Sequence, residues 1–115
     1  MNLIEIYEAY KIENTDYIEW LEILVNESFQ NDAPPIIRRR LEDTKACFSQ
    51  LMEQCATLEV SDEEEANLKD LKYLLMDSLF LASDLVRFYE TEDLGRFKMR
   101  VLNYLTKKRR AELFK

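Results

Sequence analysis

The side chains able to do chemistry in this sequence are carboxylates and two thiols. Glu5 and Glu8, and again Glu19 and Glu22, stand one helical turn apart. That spacing serves paired general acids or an oxygen-ligand metal site. These four glutamates mostly face away from the stripe running from Leu3 to Leu24, as a solvated helix face does. Histidine is absent from the 115 residues. Its absence removes His-based triads, Cys–His pairs, His-containing zinc patterns and the Glu-x-x-His di-metal motif. Cys47 and Cys55 cannot form a four-thiolate zinc site, and one glycine cannot supply a phosphate loop. The two cysteines lie eight residues apart in one expected helix. About 12 Å of rise separates them, too far for a disulfide. The expectation is therefore a non-enzyme with no cofactor, no metal and no evident small-molecule substrate.

The charged residues raise a second possibility. Net charge is −7, unevenly spread. Residues 1–33 hold eight acids and one lysine, while residues 91–115 hold three acids and eight bases. Two basic clusters stand out: Arg38, Arg39 and Arg40, and Lys107, Lys108, Arg109 and Arg110. Either could contact an anion or an acidic partner, and nucleic-acid binding would need both on one continuous surface. The tail cluster already has a local role, because cations are favoured at a helix C-terminus. The arginines sit where a helix begins and lack that role, so carboxylate neighbours are expected to pair with them. Expected neighbours are Glu27, Asp84 and Glu90 near the arginines, and Glu5, Glu8 and Asp62 to Glu65 near the tail.

The elements that must position these groups are helices. One glycine and two prolines leave almost no material for the tight turns of an all-β chain. Apolar spacing over 3–30 follows Leu3, Tyr7, Tyr10, Tyr17, Leu21 and Leu24. Asn14 falls on this face, so the segment is either one helix with a buried Asn or a helix broken near residue 15; one helix is the preferred reading. Asn31 to Pro35 stops it. A second helix over 35–59 carries Ile37, Leu41, Thr44, Phe48, Leu51, Cys55 and Leu58. Ser61 with Glu64 reads as a capping box opening a third helix over 62–90. A fourth over 92–112 carries Leu94, Phe97, Val101, Tyr104 and Leu105. Short connections favour antiparallel neighbours. The expected fold is a single all-α domain over 1–115, an up-down-up-down bundle of about four helices. An antiparallel layout would set the two basic clusters at opposite ends, about 30 Å apart.

Helix three carries more apolar surface than such a bundle requires. Leu68, Leu71, Leu74, Leu75, Leu79, Leu81, Ala82, Leu85, Val86, Phe88 and Tyr89 fill half its circumference. Tyr73, Met76 and Phe80 form a separate stripe almost opposite. Exposed Met and aromatic groups are the types enriched at interfaces. Cover from a bent helix one, or from Leu113 and Phe114, is the alternative, as is simple surface exposure. The other three helices read as single-faced or nearly so.

These observations point to a cytoplasmic protein-binding module: an adaptor, chaperone, inhibitor or immunity-type partner, self-associating or partner-binding through Tyr73, Met76 and Phe80. No segment approaches a membrane span or a signal peptide. The alternative is a nucleic-acid-associated protein using Arg38 to Arg40 or the basic tail.

Overall fold

A computed structural model describes residues 1–113 of the chain. Asn2 starts the first helix, α1 (Leu3–Asn26), by accepting the Glu5 N–H on its side chain while the Glu5 carboxylate accepts the Asn2 N–H. The helix runs unbroken through Asn14, which is buried. Its side-chain oxygen is satisfied there: the Tyr10 hydroxyl meets Ser78 Oγ at 2.9 Å, and Ser78 Oγ donates to Asn14 Oδ1 at 3.2 Å. A polar residue tolerates a core when its buried atoms find partners there, and this relay supplies one to the Asn14 oxygen.

The first helix ends four residues short of the expected position. Ser28 and Phe29 turn into the left-handed region, and Phe29 N–H bonds back to Leu24 O at 2.8 Å. Ser28 N–H reaches Val25 O, completing a Schellman motif without glycine. Pro34 then opens α2 (Pro34–Thr57). A 3-10 turn over Asp62–Glu64 precedes α3 (Glu65–Glu90). The expected capping box is not formed. Ser61 Oγ bonds the Glu64 carboxylate at 3.3 Å, and the Glu64 N–H is taken by Ser61 O. The 3-10 turn pulls Glu64 too close for the Ser61 side chain to cap its amide.

Helix α4 (Leu94–Leu113) begins two residues later than expected. Residues 91–93 close α3 with a second Schellman motif, in which Asp93 N–H bonds Phe88 O at 2.8 Å and Glu92 holds φ 57°. Asp93 then caps α4 by accepting the Arg96 N–H. Glycine is the usual residue at the left-handed position, because a Cβ there costs about 1–2 kcal/mol. The chain's one glycine lies three residues on, inside α4, where an added Cβ would meet nothing closer than 3.9 Å. Glu92→Gly combined with Gly95→Ala is therefore expected to raise stability by about 2 kcal/mol. Urea unfolding of the double variant checks this; an unchanged midpoint would show that Glu92 is held without strain.

Contacts fix the directions of the helices. Trp20 receives Arg40 over its ring and Glu13 accepts from Thr44, so α1 and α2 run antiparallel. Asn14 meets Ser78 while Leu3 lies beside Leu71, so α1 and α3 run parallel. Asp84 meets Arg100 while Asp77 lies beside Lys107, so α4 returns antiparallel to α3. The result is an all-α, up-down-up-down four-helix bundle. Its core joins Tyr17, Phe48 and Phe97 with Leu from every helix and Ile from α1 and α2. Phe48 lies 5.9 Å from the Tyr10 ring and 6.0 Å from the Tyr17 ring. Phe97 is clasped by Phe29 at 5.1 Å and Tyr89 at 6.3 Å.

Candidate functional site

Packing decides which apolar residues are left outside. Ser78 points from α3 to α1, and Leu71, Leu75, Ala82 and Leu85 share its buried half. At 100° per residue, the centre of the Tyr73, Met76 and Phe80 stripe stands about 170° from Ser78. No described element covers it: Tyr73 is 60 % exposed, Met76 41 % and Phe80 57 %. Helix α1 packs on the opposite side of α3 and so cannot supply the expected cover. The other expected cover, by Leu113 and Phe114, lies outside the described residues and side chains.

The face is wider than the sequence suggests. Leu74, expected in the core arc, is 44 % exposed. It lines two shallow clefts. One, about 340 Å³, lies between α3 and α4 and is walled by Asp77, Phe80, Arg100, Tyr104, Lys107 and Lys108. The other, about 380 Å³, lies between α1 and α3 and is walled by Ile4, Tyr7 and Leu71. Leu74 loses cover because it faces the gap between the amino-terminal half of α1 and the carboxy-terminal half of α4.

The electrostatics of the face lean positive. Lys69 and Arg87 lie in line with the stripe, seven residues before Met76 and seven after Phe80. Arg100, Lys107 and Lys108 border Phe80 from α4. Two acids stand among these bases. Asp77 lines the same cleft, and Asp84 is shared between Arg87 at 3.1 Å and Arg100 at 3.0 Å. One carboxylate between two guanidiniums leaves a net positive charge.

Several bases of the two clusters are met by local groups. Arg38 lies in a cleft with Glu90 and Glu92. Arg39 pairs with Asp43 at 3.9 Å, both highly exposed, an arrangement of little energetic weight. Arg40 lies over the Trp20 ring at 5.6 Å, with its Nε buried and unpartnered. Of the expected neighbours, Glu90 is found beside Arg38, whereas Asp84 is taken by Arg87 and Arg100. In the tail, Arg109 Nη2 donates to Glu22 at 3.2 Å rather than to the expected Glu5 or Glu8. Long side chains on antiparallel helices both lean toward their own N-termini, so Arg109 and Glu22 reach toward each other. Arg110 is exposed in the last turn of α4, where the helix dipole favours it.

The chemistry-bearing groups are scattered. Glu5 is spent on the α1 cap, Glu22 on Arg109, and Glu8 and Glu19 face outward. Among the described residues no three His, Cys, Asp or Glu side chains converge to hold a metal. Cys47 is half-buried and Cys55 buried, both unpaired, and burial pushes both thiols up, which disfavours the reactive thiolate. No described helix is long and apolar enough to cross a membrane.

Sequence reasoning missed a second outward stripe, on α1. Ile12 is 63 % exposed and Ile23 52 %. Glu5, Asp16 and Glu19 share their side of the helix at 100° per residue. The signal was present in this spacing but was masked by the stronger Leu3 to Leu24 stripe. Helix α4 likewise exposes Met99 and Leu102 and is not single-faced. No protein-family model, curated protein or solved structure matches this chain.

Proposed function

We propose that the chain is a cytoplasmic protein-binding module, working as an adaptor, chaperone, inhibitor or immunity-type partner through the outward face of α3. The observation that carries this reading is the exposed Tyr73, Met76 and Phe80 stripe. A lone bundle gains nothing from placing these side chains in water. Burying a large apolar side chain stabilises by about 1.5–3 kcal/mol, so a partner that covers the stripe recovers that free energy. Met adapts to irregular surfaces, and the tyrosine offers a hydroxyl at the rim. Less supports a nucleic-acid role. Arg109 pairs with Glu22, Arg40 lies on Trp20, and the bases beside Phe80 share their cleft with Asp77.

A photo-cross-linking residue placed at Met76 in living cells tests the reading. Covalent products with protein are expected at position 76 and not at Glu53, which is exposed on α2. Adding Tyr73→Ser and Phe80→Ser should reduce the products at least tenfold. Equal products at the two positions would overturn the proposal.

A further inference from the structure

The outward stripe of α1 and the outward stripe of α3 are complementary in chemistry and spacing. On α1, Ile12 has Glu5 and Glu19 seven residues to either side, on the same face. On α3, Met76 has Lys69 seven residues before it, and Phe80 has Arg87 seven residues after it. Seven residues span about 10 Å of helix. An isoleucine seated between Met76 and Phe80 therefore brings Glu19 toward one of these bases and Glu5, whose carboxylate also accepts the Asn2 N–H, toward the other. Asp16, also exposed on α1, adds to the negative face, and Lys107 and Lys108 add to the positive one. Among the described residues Asp16 and Glu19 have no salt-bridge partner within the chain; α1 and α4 are joined by one ion pair, Glu22 with Arg109.

We infer that the partner of the α3 face is a second copy of this chain, which offers the outer stripe of its α1. This rests on the binding reading above and names its occupant. Two α3 faces packed on each other fit less well. With Met76 against Phe80 in an antiparallel pair, Lys69 of one copy falls opposite Arg87 of the other, and like charges oppose association. The carboxylates of α1 remove that conflict.

The geometry also sets the type of assembly. Helices α1 and α3 touch through Asn14 and Ser78. Ile12 and Ile23 stand about 170° from the Tyr10 and Asn14 side of α1, as the α3 stripe stands from Ser78. The two stripes thus face away from each other, on opposite sides of the bundle. A contact between them is head to tail and leaves one free stripe at each end, so it closes into a ring or propagates.

The test uses the purified full chain and light scattering after size exclusion. Wild type should exceed its monomer mass of 13.8 kDa, increasingly so as concentration rises. Ile12→Lys blocks the α1 stripe, and Met76→Asp with Phe80→Asp blocks the α3 stripe. Each should be a monomer alone. Mixed in equal amounts they should form a one-to-one complex, because each still carries the stripe the other lacks. Glu19→Lys, which alters charge without touching a buried side chain, should weaken wild-type association at least fivefold. Circular dichroism confirms folding of every variant. An Ile12→Lys variant that still associates, or a mixture that stays monomeric, overturns the head-to-tail pairing. A wild type that is monomeric throughout overturns self-association, while a cross-link from Met76 to a different protein would leave the binding reading standing.

Discussion

Phe48→Ala is expected to destabilise the bundle by about 3–5 kcal/mol, the range for removing a fully buried phenylalanine. Phe48 is 0 % exposed and is the point where α2 enters the aromatic cluster of α1. Its ring meets Tyr10 and Tyr17 together, so its loss opens a cavity bordered by two rings that cannot follow it inward. Tyr10 is tied to Ser78 and Tyr17 stacks on Trp20 at 6.2 Å. A domain of this size has a total stability of about 5–15 kcal/mol, so the variant sits near the edge of folding at 37 °C. Phe48→Leu, which keeps most of the volume, should cost no more than about half as much. Urea unfolding at 25 °C measures both. A loss below about 1 kcal/mol for Phe48→Ala would mean that the neighbouring rings collapse into the space, contrary to their anchoring.

The second large effect is alkaline unfolding. Burial pushes the Tyr10 hydroxyl up to about 12, opposed by its bond to Ser78. Burial pushes Tyr17 higher still, with Arg40 opposing, and its hydroxyl has no hydrogen-bond partner. In the unfolded chain both titrate near the ordinary value of 10. A group whose pKa is raised by folding gives up stability as pH climbs from its unfolded to its folded value. The raised Cys47 and Cys55 thiols should begin a shallow loss of stability above pH 9, and the two tyrosines should make it steep between pH 10 and 12, because the unfolded state releases protons that the folded state retains. Each tyrosine contributes a slope of about 1.4 kcal/mol per pH unit in that window. Together they remove about 3 kcal/mol per unit. Tyr17→Phe should roughly halve the slope. It should also stabilise the neutral protein by about 1 kcal/mol, since it deletes a buried hydroxyl that bonds to nothing. Tyr10→Phe should flatten the slope equally but lower stability near neutral pH, because buried Ser78 loses its bond to the Tyr10 hydroxyl and keeps only the one to Asn14. Urea midpoints at pH 8, 10 and 11 separate these cases. Identical slopes in wild type and both variants would refute the assignment.

Much of this architecture is legible in the chain itself. The scarcity of glycine and proline, and the 3.6-residue recurrence of Leu, Ile and Tyr, are local properties that report helix number and type. The stop at Asn31 to Pro35 is equally local. Even the burial of Asn14 followed from its register, since a helix that carries Tyr10 and Tyr17 inward must carry Asn14 with them. Helix ends were less legible. Ser28, Phe29 and Glu92 occupy conformations that glycine normally takes, so the sequence signal for those turns is missing. The core holds Phe29 against Phe97, and that packing stabilises a turn that local preference would not choose.

What the sequence determined by itself is the set of faces: four amphipathic helices, a surplus apolar stripe at Tyr73, Met76 and Phe80, and no histidine with which to build common catalytic sites. Which faces meet and which are left in solvent is settled by how the four helices pack. That packing joined α1 to α3 through Tyr10, Ser78 and Asn14, and so turned the Ile12 and Met76 stripes to opposite sides of the bundle. It sent Arg109 to Glu22 and shared Asp84 between two arginines, which left the bases beside Phe80 in excess. Periodicity along one helix records that a side is apolar. It carries no information about which neighbour covers that side, because that choice depends on crossing positions summed over all four helices.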